Sequence, residues 1–387
     1  MMNSDGIKSI LPREKMTPGA RKVRDFYAMA PGAPLYRREF GYYCIDTWKT
    51  QGHIPQKADE KFLSDLFMFD DPGVYYNYLG GCEAPFVPAF EVKVLEDRGD
   101  CELVQDNAGR HVLYFKGRRR GFMPEYLRHP VSDMRTWEET CKWRMSPDTP
   151  ERWTDFDVLM KQTVVAAGKG LVITQHCIGG FMYLRSLLGP LELLYAFHDK
   201  PELIHACMQT WFNLANTYIE RVQRHVTIDE FFMGEDICYN HGPLVSPDTM
   251  KEFLFPYYQQ LISNIKTRQQ DPLRRLYVNI DCDGNVLGVI DHYRKHIGMN
   301  YMNPFEAAAG CDVVEIGKRW PDLLMHGGID KRILTRSKDA IDRELERIIP
   351  IMRARGGYFP TCDHGVPEEV PFANYMHYRK RCVELGG

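Results

Sequence analysis

Ten residues with reactive side chains each follow closely on a short apolar run: His176, Glu235, Asp236, Asp281, Cys282, Asp283, Glu306, Asp330, Asp363 and His364. Carboxylates, imidazoles and a thiol brought to one place could move protons as general acids and bases or hold a divalent metal ion. In the triplet Asp281-Cys282-Asp283 the two aspartates are two positions apart, so on an extended strand both face one side and Cys282 the other. A catalytic zinc ion needs three protein ligands and one open position, and Glu235, Asp281 and His364 would satisfy that chemistry. Asp283 and Asp330 equally suit helix N-caps, the commonest role of an aspartate just after a strand. His198, His205, His225 and His292 lie within helical patterns and read as surface or satisfied core residues.

The elements that must position these groups are short. Apolar runs at 276–280, 299–302 and 323–325 lead into Asp281-Cys282-Asp283-Gly284, Asn303-Pro304-Phe305-Glu306 and Gly327-Gly328-Ile329-Asp330, with helix-like segments between them. A strand followed by a helix, repeating at roughly 20–25 residues, marks βα units and a parallel sheet. Such folds carry their chemistry at the carboxyl ends of the strands. Further strands end near residues 174, 233 and 360, and an aromatic-rich run at 34–43 opens the series, placing Tyr42 at its end. These seven strands predict a (β/α)8 TIM barrel whose eighth strand falls between 60 and 135.

Residues 83–121 change to a period of two, with strands expected at 86–95, 101–105 and 112–116 and a tight turn at Asp106-Asn107-Ala108-Gly109. This antiparallel hairpin insertion in the N-terminal third either caps the site or covers the barrel's flank. Residues 1–33 read as a lead-in with one short helix near 21–29, and 34–387 as a single barrel domain.

The totals narrow the partners. A chain of 387 residues with 44% hydrophobic content supports one large barrel, and a net charge of −3 provides no field for nucleic acid or anionic membrane. Arg118-Arg119-Arg120 is the compact basic cluster and reads as a solvated loop. Eleven cysteines without a CxxC pair fit thiols in a reducing cytosol. With neither a signal-peptide pattern nor an apolar run of membrane-spanning length, the expected location is cytoplasmic. Gly168-Lys169-Gly170 precedes a strand and is no phosphate loop, and Gly327-Gly328 lacks the third glycine of a dinucleotide fingerprint.

The stretches Ile280-Asp281-Cys282-Asp283-Gly284-Asn285, Asn303-Pro304-Phe305-Glu306-Ala307-Ala308-Ala309-Gly310, His326-Gly327-Gly328-Ile329-Asp330-Lys331-Arg332 and Asp363-His364-Gly365-Val366-Pro367 resemble the uroporphyrinogen decarboxylase superfamily. The likeness covers about 34–385 and is closest to the branch of corrinoid-dependent methyltransferases. It implies a single barrel and transfer of a methyl group from a small methoxylated or methylated substrate to a corrinoid. No Asp-x-His-x-x-Gly cobalamin-ligand motif occurs, so the corrinoid would come on a partner protein. The resemblance also implies zinc as a Lewis acid on Glu235, Asp281 and His364. Asp363, Glu306 and His176 would then act as catalytic groups, and Tyr42, Asp236, Asp283 and Asp330 would line the substrate.

The family departs from this chain at two places. The Arg-Gln-Ala-Gly-Arg stretch that holds carboxylates in true decarboxylases is replaced by Arg37-Arg38-Glu39-Phe40-Gly41, and the His-x-Cys zinc pair reads Asn279 and Asp281, or Asp281 and Asp283. One alternative is a cofactor-independent lyase acting on a tetrapyrrole or other small acid, which needs Arg37, Arg38 or Arg185 in the mouth. Another is a non-catalytic corrinoid or tetrapyrrole binding protein. Barrels of this size often dimerise, though no interface is legible in the sequence.

Overall fold

The computed structural model describes residues 12–117 and 124–387. The Arg118-Arg119-Arg120 cluster lies outside them. The strands in chain order are β1 (Val74–Leu79), β2 (Lys93–Arg98), β3 (Cys101–Gln105), β4 (His111–Phe115), β5 (Glu125–Arg128), β6 (Val172–Ile178) and β7 (Glu230–Gly234). They continue with β8 (Cys238–Tyr239), β9 (Gly242–Pro243), β10 (Tyr277–Asp281), β11 (Tyr301–Asn303), β12 (Leu324–His326) and β13 (Tyr358–Phe359). Seven of them form one parallel sheet in the order β1-β6-β7-β10-β11-β12-β13, with helices crossing between successive strands. This is the α/β barrel wall that the repeated βα pattern predicts.

Register fixes the inner face. Tyr76 stands beside Thr174 and Tyr78 beside His176, Thr174 beside Glu230 and His176 beside Phe232. Phe232 continues to Asn279, Asn279 to Tyr301, and Asp281 to Asn303. Tyr36, Tyr76, Glu230, Tyr301 and Phe359 line the narrow space at the barrel floor, so every residue in register with them points inward.

The strand expected at 34–43 is the first correction. That segment is extended but joins no ladder; it occupies the place between β13 and β1 where an eighth strand would close the wall. Its backbone groups are spread over several partners: Arg37 N–H donates to the Asp70 carboxylate and Asp70 N–H to Arg37 C=O. Tyr43 N–H donates to Val366 C=O, and Val366 N–H to Gly41 C=O. The strand expected somewhere between 60 and 135 is β1. Its Val-Tyr-Tyr-Asn-Tyr-Leu sequence shows little alternation, because Tyr75 reaches out to Gln162 while Tyr76 and Tyr78 face the interior.

The lead-in contributes to the barrel itself. Thr17 caps the helix Pro18–Tyr27, with proline at its first turn. Val23, Phe26 and Tyr27 from that helix plug the barrel's amino end against Tyr36, Val172, Tyr277, Tyr301 and Leu324. The edge-on ring contacts of Phe26 with Tyr301 and Tyr27 with Tyr277 each add about 0.5–1.5 kcal/mol beyond the area buried.

The insertion forms a four-stranded antiparallel sheet, β2-β3-β4-β5. Its first strand begins later than the expected 86–95, since Pro85 and Pro88 withhold N–H donors from a ladder. The helix expected from Pro247 onward splits into Pro247–Phe253 and Phe255–Arg268, because Pro256 has no N–H to continue the first helix. All eleven cysteines are unpaired thiols. Among the described residues no helix is long and apolar enough to cross a membrane.

Candidate active site

Four carboxylates meet at the carboxyl ends of β7, β10 and β11. Asp281 ends β10, and its neighbour Asn303 donates from Nδ2 to Oδ1 in a short hydrogen bond. Asp236, two residues beyond β7, adopts a left-handed backbone (φ 48°) that swings its carboxylate over the mouth, where Oδ1 accepts Asp283 N–H at 3.2 Å. Arg185 pairs with its other oxygen at 2.9 Å. Glu306 accepts Gly284 N–H at 2.9 Å and lies 3.6 Å from Lys331 Nζ. The loops crowd together because glycines let them: a Cβ on Gly327 (φ 94°) would stand 2.1 Å from Pro304 carbonyl oxygen.

This crowding decides protonation. Burial, then the negative charges of Asp236 and Asp283, hold the Asp281 carboxyl well above the usual carboxylate range. Asp283 is pushed up to about 7 by burial, Asp236 and Glu306, against the opposing pull of Lys331 and Arg185. Like charges this close cannot all ionise, so the cluster keeps a proton at neutral pH.

Asp363 is tied down. Its oxygens accept Ala307 N–H at 3.0 Å and Lys331 N–H at 3.1 Å, joining three loops, and burial raises it to about 6. Next to it, His364 lies between Phe40 and Tyr43, its ring centroid 5.2 Å and 6.0 Å from theirs. His364 Nδ1 accepts Gly365 N–H at 2.8 Å, which in the neutral ring puts the proton on Nε2, 3.9 Å from Asp283 Oδ2. Burial lowers its basicity, so the neutral ring with an Nε2–H donor is the resting form.

Four expected site residues are placed elsewhere. Glu235 is fully buried behind the barrel wall, where Oε1 accepts from Tyr258 (2.7 Å) and Tyr293 (2.9 Å); burial raises it to about 7. Gly179 lacks the side chain that would collide with it. Tyr42 turns into the helix layer, 2.6 Å from the Tyr375 hydroxyl and stacked on Phe67; its neighbour Tyr43 faces the mouth instead. Asp330 caps the short 3-10 helix Lys331–Thr335 and forks to Arg332. His176 faces inward but stacks on Phe232 at 4.6 Å, and burial lowers it to about 4.

The zinc set therefore does not assemble. Glu235 is on the far side of the wall from Asp281, and His364 would have to give up its Gly365 contact to offer Nε2 as a ligand. No group of three His, Cys, Asp or Glu side chains among the described residues is arranged to hold a metal ion. Lys331 and Tyr43 are the mouth residues that sequence reasoning missed. Their signal was adjacency alone, Lys331 directly after a strand-end aspartate and Tyr43 directly after Tyr42.

A barrel with its ionisable groups gathered at the carboxyl ends of parallel strands is an enzyme architecture. The sequence profile of the family described as Uroporphyrinogen decarboxylase (URO-D) matches residues 137–384, more than half of the chain. The chain belongs to the uroporphyrinogen decarboxylase family. The Uroporphyrinogen decarboxylase of Geobacter metallireducens is 26% identical over 146 residues, a match spanning 35% of this chain and 37% of that protein. The solved structure of a methyltransferase from Methanosarcina mazei superposes with a TM-score of 0.59 over 95% of this chain and 99% of that one, at 13% identity, and so shares the fold.

Proposed function

We propose that this protein is a methyltransferase that demethylates a small methoxylated or methylated substrate and passes the methyl group to a corrinoid carried on a separate protein. The observation that carries the reading is the cluster of Asp236, Asp281, Asp283 and Glu306, whose crowding raises the Asp281 and Asp283 carboxyls and so keeps a proton within the cluster. Against these carboxylates stand Arg185 and Lys331. A mouth with this balance attracts neutral or cationic substrates and repels polycarboxylates.

A reduced corrinoid would supply the nucleophile for the methyl carbon. Tyr43 and Asp283 are open enough to be met from outside the barrel, as delivery on a partner protein requires. This chain's residues do the rest. As the carbon–oxygen bond breaks, the leaving oxygen takes the proton from the Asp283 carboxyl, whose O–H bond breaks in the same step. The carboxylate left behind lies in the field of Lys331 and Arg185. His364 Nε2–H stands ready to hydrogen-bond the same oxygen, and Asp236, locked by Arg185 and Asp283 N–H, fixes the loop.

The lyase alternative needs arginines that meet in the mouth. Arg37 is paired with Asp70, Arg38 bonds the Tyr36 hydroxyl and lies over the Phe69 ring, and Arg185 is paired with Asp236, so the three do not converge on one point. Incubation with a reduced corrinoid protein and a panel of methoxylated and methylated compounds tests the proposal: formation of methylcorrinoid, lost in Asp283→Asn, is the expected result. Release of carbon dioxide from a carboxylated pyrrole instead would overturn it, as would tight pigment binding without turnover.

A further inference from the structure

Behind the rim two thiols touch. The segments that follow β7 and β10 run side by side beyond the end of the sheet. Glu235 N–H donates to Asp281 C=O at 2.8 Å, Asp283 N–H to Asp236 Oδ1 at 3.2 Å and Asn285 N–H to Tyr239 C=O at 2.9 Å. Gly284 is pressed so close to Tyr239 that a Cβ there would stand 2.7 Å from its carbonyl oxygen. This pairing brings Cys238 beside Cys282. Cys282 S–H donates to Asp283 C=O at 3.4 Å, so its sulfur is left to accept, from Ile237 N–H and from the Cys238 thiol. Both side chains join the hydrophobic core, yet Cys238 follows Asp236 by two positions and Cys282 lies between Asp281 and Asp283.

The two differ in reach. Cys282 has no accessible surface, whereas Cys238 keeps 8% and belongs to the hairpin of the two-residue strands β8 and β9, whose Tyr239 is 50% exposed. A small oxidant therefore meets Cys238 first, with Cys282 directly beneath it. A single buried thiol serves as a small hydrophobe. Two thiols in contact, one of them reachable, can exchange their protons for a bond between the sulfurs. Here that bond would join the two loops whose hydrogen bond, Asp283 N–H to Asp236, orders the rim.

We infer that Cys238 and Cys282 form a redox switch: hydrogen peroxide converts the pair to a disulfide that fastens the β7 and β10 loops together and takes the rim carboxylates out of their working arrangement. The Cys238 sulfur attacks one peroxide oxygen, the O–O bond breaks, and Cys238 becomes a sulfenic acid as one water leaves. The Cys282 sulfur then attacks that sulfur. The S–S bond forms, the S–OH bond breaks, and the hydroxyl leaves as a second water with the Cys282 proton. The two thiols lose two electrons and two protons, and the peroxide takes up both. Oxidation removes the proton with which Cys282 holds the Asp283 carbonyl, so the backbone that aims Asp283 at Asp236 is released. A reduced corrinoid is consumed by the same oxidant, so the switch would stop demethylation when no acceptor is available. That consequence rests on the proposed methyl transfer; the disulfide does not.

Peroxide titration of the full chain, followed by peptide mapping, the aspartate carboxyl 13C spectrum and turnover, tests it. The expected result is loss of two of the eleven free thiols as one Cys238–Cys282 cross-link, with a displaced Asp283 resonance. Turnover should fall about tenfold or more, and dithiothreitol should restore all three. Cys238→Ala should keep the basal turnover and the reduced spectrum and be indifferent to peroxide. Cys311→Ala, which removes the nearby thiol that donates to Gly284 C=O at 3.5 Å, should respond as the parent protein does. No cross-link, a cross-link between other cysteines, or a Cys238–Cys282 cross-link that leaves the carboxyl spectrum unchanged would each overturn the switch. A Cys238–Cys282 cross-link that displaces the Asp283 resonance in a protein that transfers no methyl group when reduced would overturn only the proposed reaction. Methyl transfer indifferent to the cross-link would overturn only the switch.

Discussion

Glu230 and Asp281 both face the interior of one barrel, on neighbouring strands, yet they are built to opposite specifications. Glu230, near the floor, accepts hydrogen bonds from Tyr27, Thr174 and Asn279. Asp281, at the rim, has the Asn303 amide as its donor and the carboxylates of Asp236 and Asp283 as neighbours. At the floor three donors surround one carboxyl group, whereas at the rim Asp281 has one donor against two carboxylate neighbours and is left incompletely matched. Unmatched groups weaken a fold, and where they cluster at strand ends they are the ones left free to act on something else.

Substitution should separate the two regions most sharply. Glu230→Leu strands three buried donors, each worth about 1–3 kcal/mol, so a loss of at least ~3 kcal/mol is expected in chemical denaturation. Asp281→Asn keeps an acceptor for Asn303 and puts a neutral amide where the carboxyl is already held neutral, so stability should hold while turnover falls by ~100-fold or more. Asp283→Asn should behave like Asp281→Asn, with turnover lost and melting temperature maintained; a collapse of stability there would make the rim structural after all.

The pH dependence follows from the same contrast. Asp283 at about 7 and Asp363 at about 6 hold their protons to a higher pH when folded than the unfolded chain does. The native state therefore binds more protons between the unfolded carboxylate range, about 4, and pH 7, and stability declines as pH rises through that window. Melting curves from pH 5 to 8 should show this decline, and Asp283→Asn should flatten it. Turnover should fall as pH rises through about 7, because the acid form is consumed.

The smallest effects belong to the paired tyrosines. Tyr42→Phe removes the bond to Tyr375 and should cost about 1 kcal/mol of stability with KM unchanged. Tyr43→Ala should leave stability within ~0.5 kcal/mol and raise KM several-fold.

The same two regions explain what was legible in the sequence. The rim was: Asp281, Asp283, Glu306 and His364 were recognisable because an apolar run that breaks into acidic residues is visible without a structure. Which of two adjacent residues faces inward was not. Glu235 and Asp236 differ by one position, and the left-handed turn at Asp236 sends one behind the wall and the other over the mouth. Gly41 and the paired bridge at Tyr42 likewise exchange the roles of Tyr42 and Tyr43. The floor was illegible for another reason. Tyr27 lies in a segment without motif, and its partner Glu230 is 203 residues away. β1 could be placed only within the span 60–135 because three tyrosines on a strand that is partly exposed on its inner face carry no alternation to detect.

The most direct test of a proton-holding rim is the titration of the aspartate carboxyl carbons by 13C NMR in selectively labelled protein. The account predicts one resonance with its midpoint near 7 that disappears in Asp283→Asn and persists in Glu230→Gln. Aspartate carboxyls that all titrate below about 5, in the ordinary range, would contradict it.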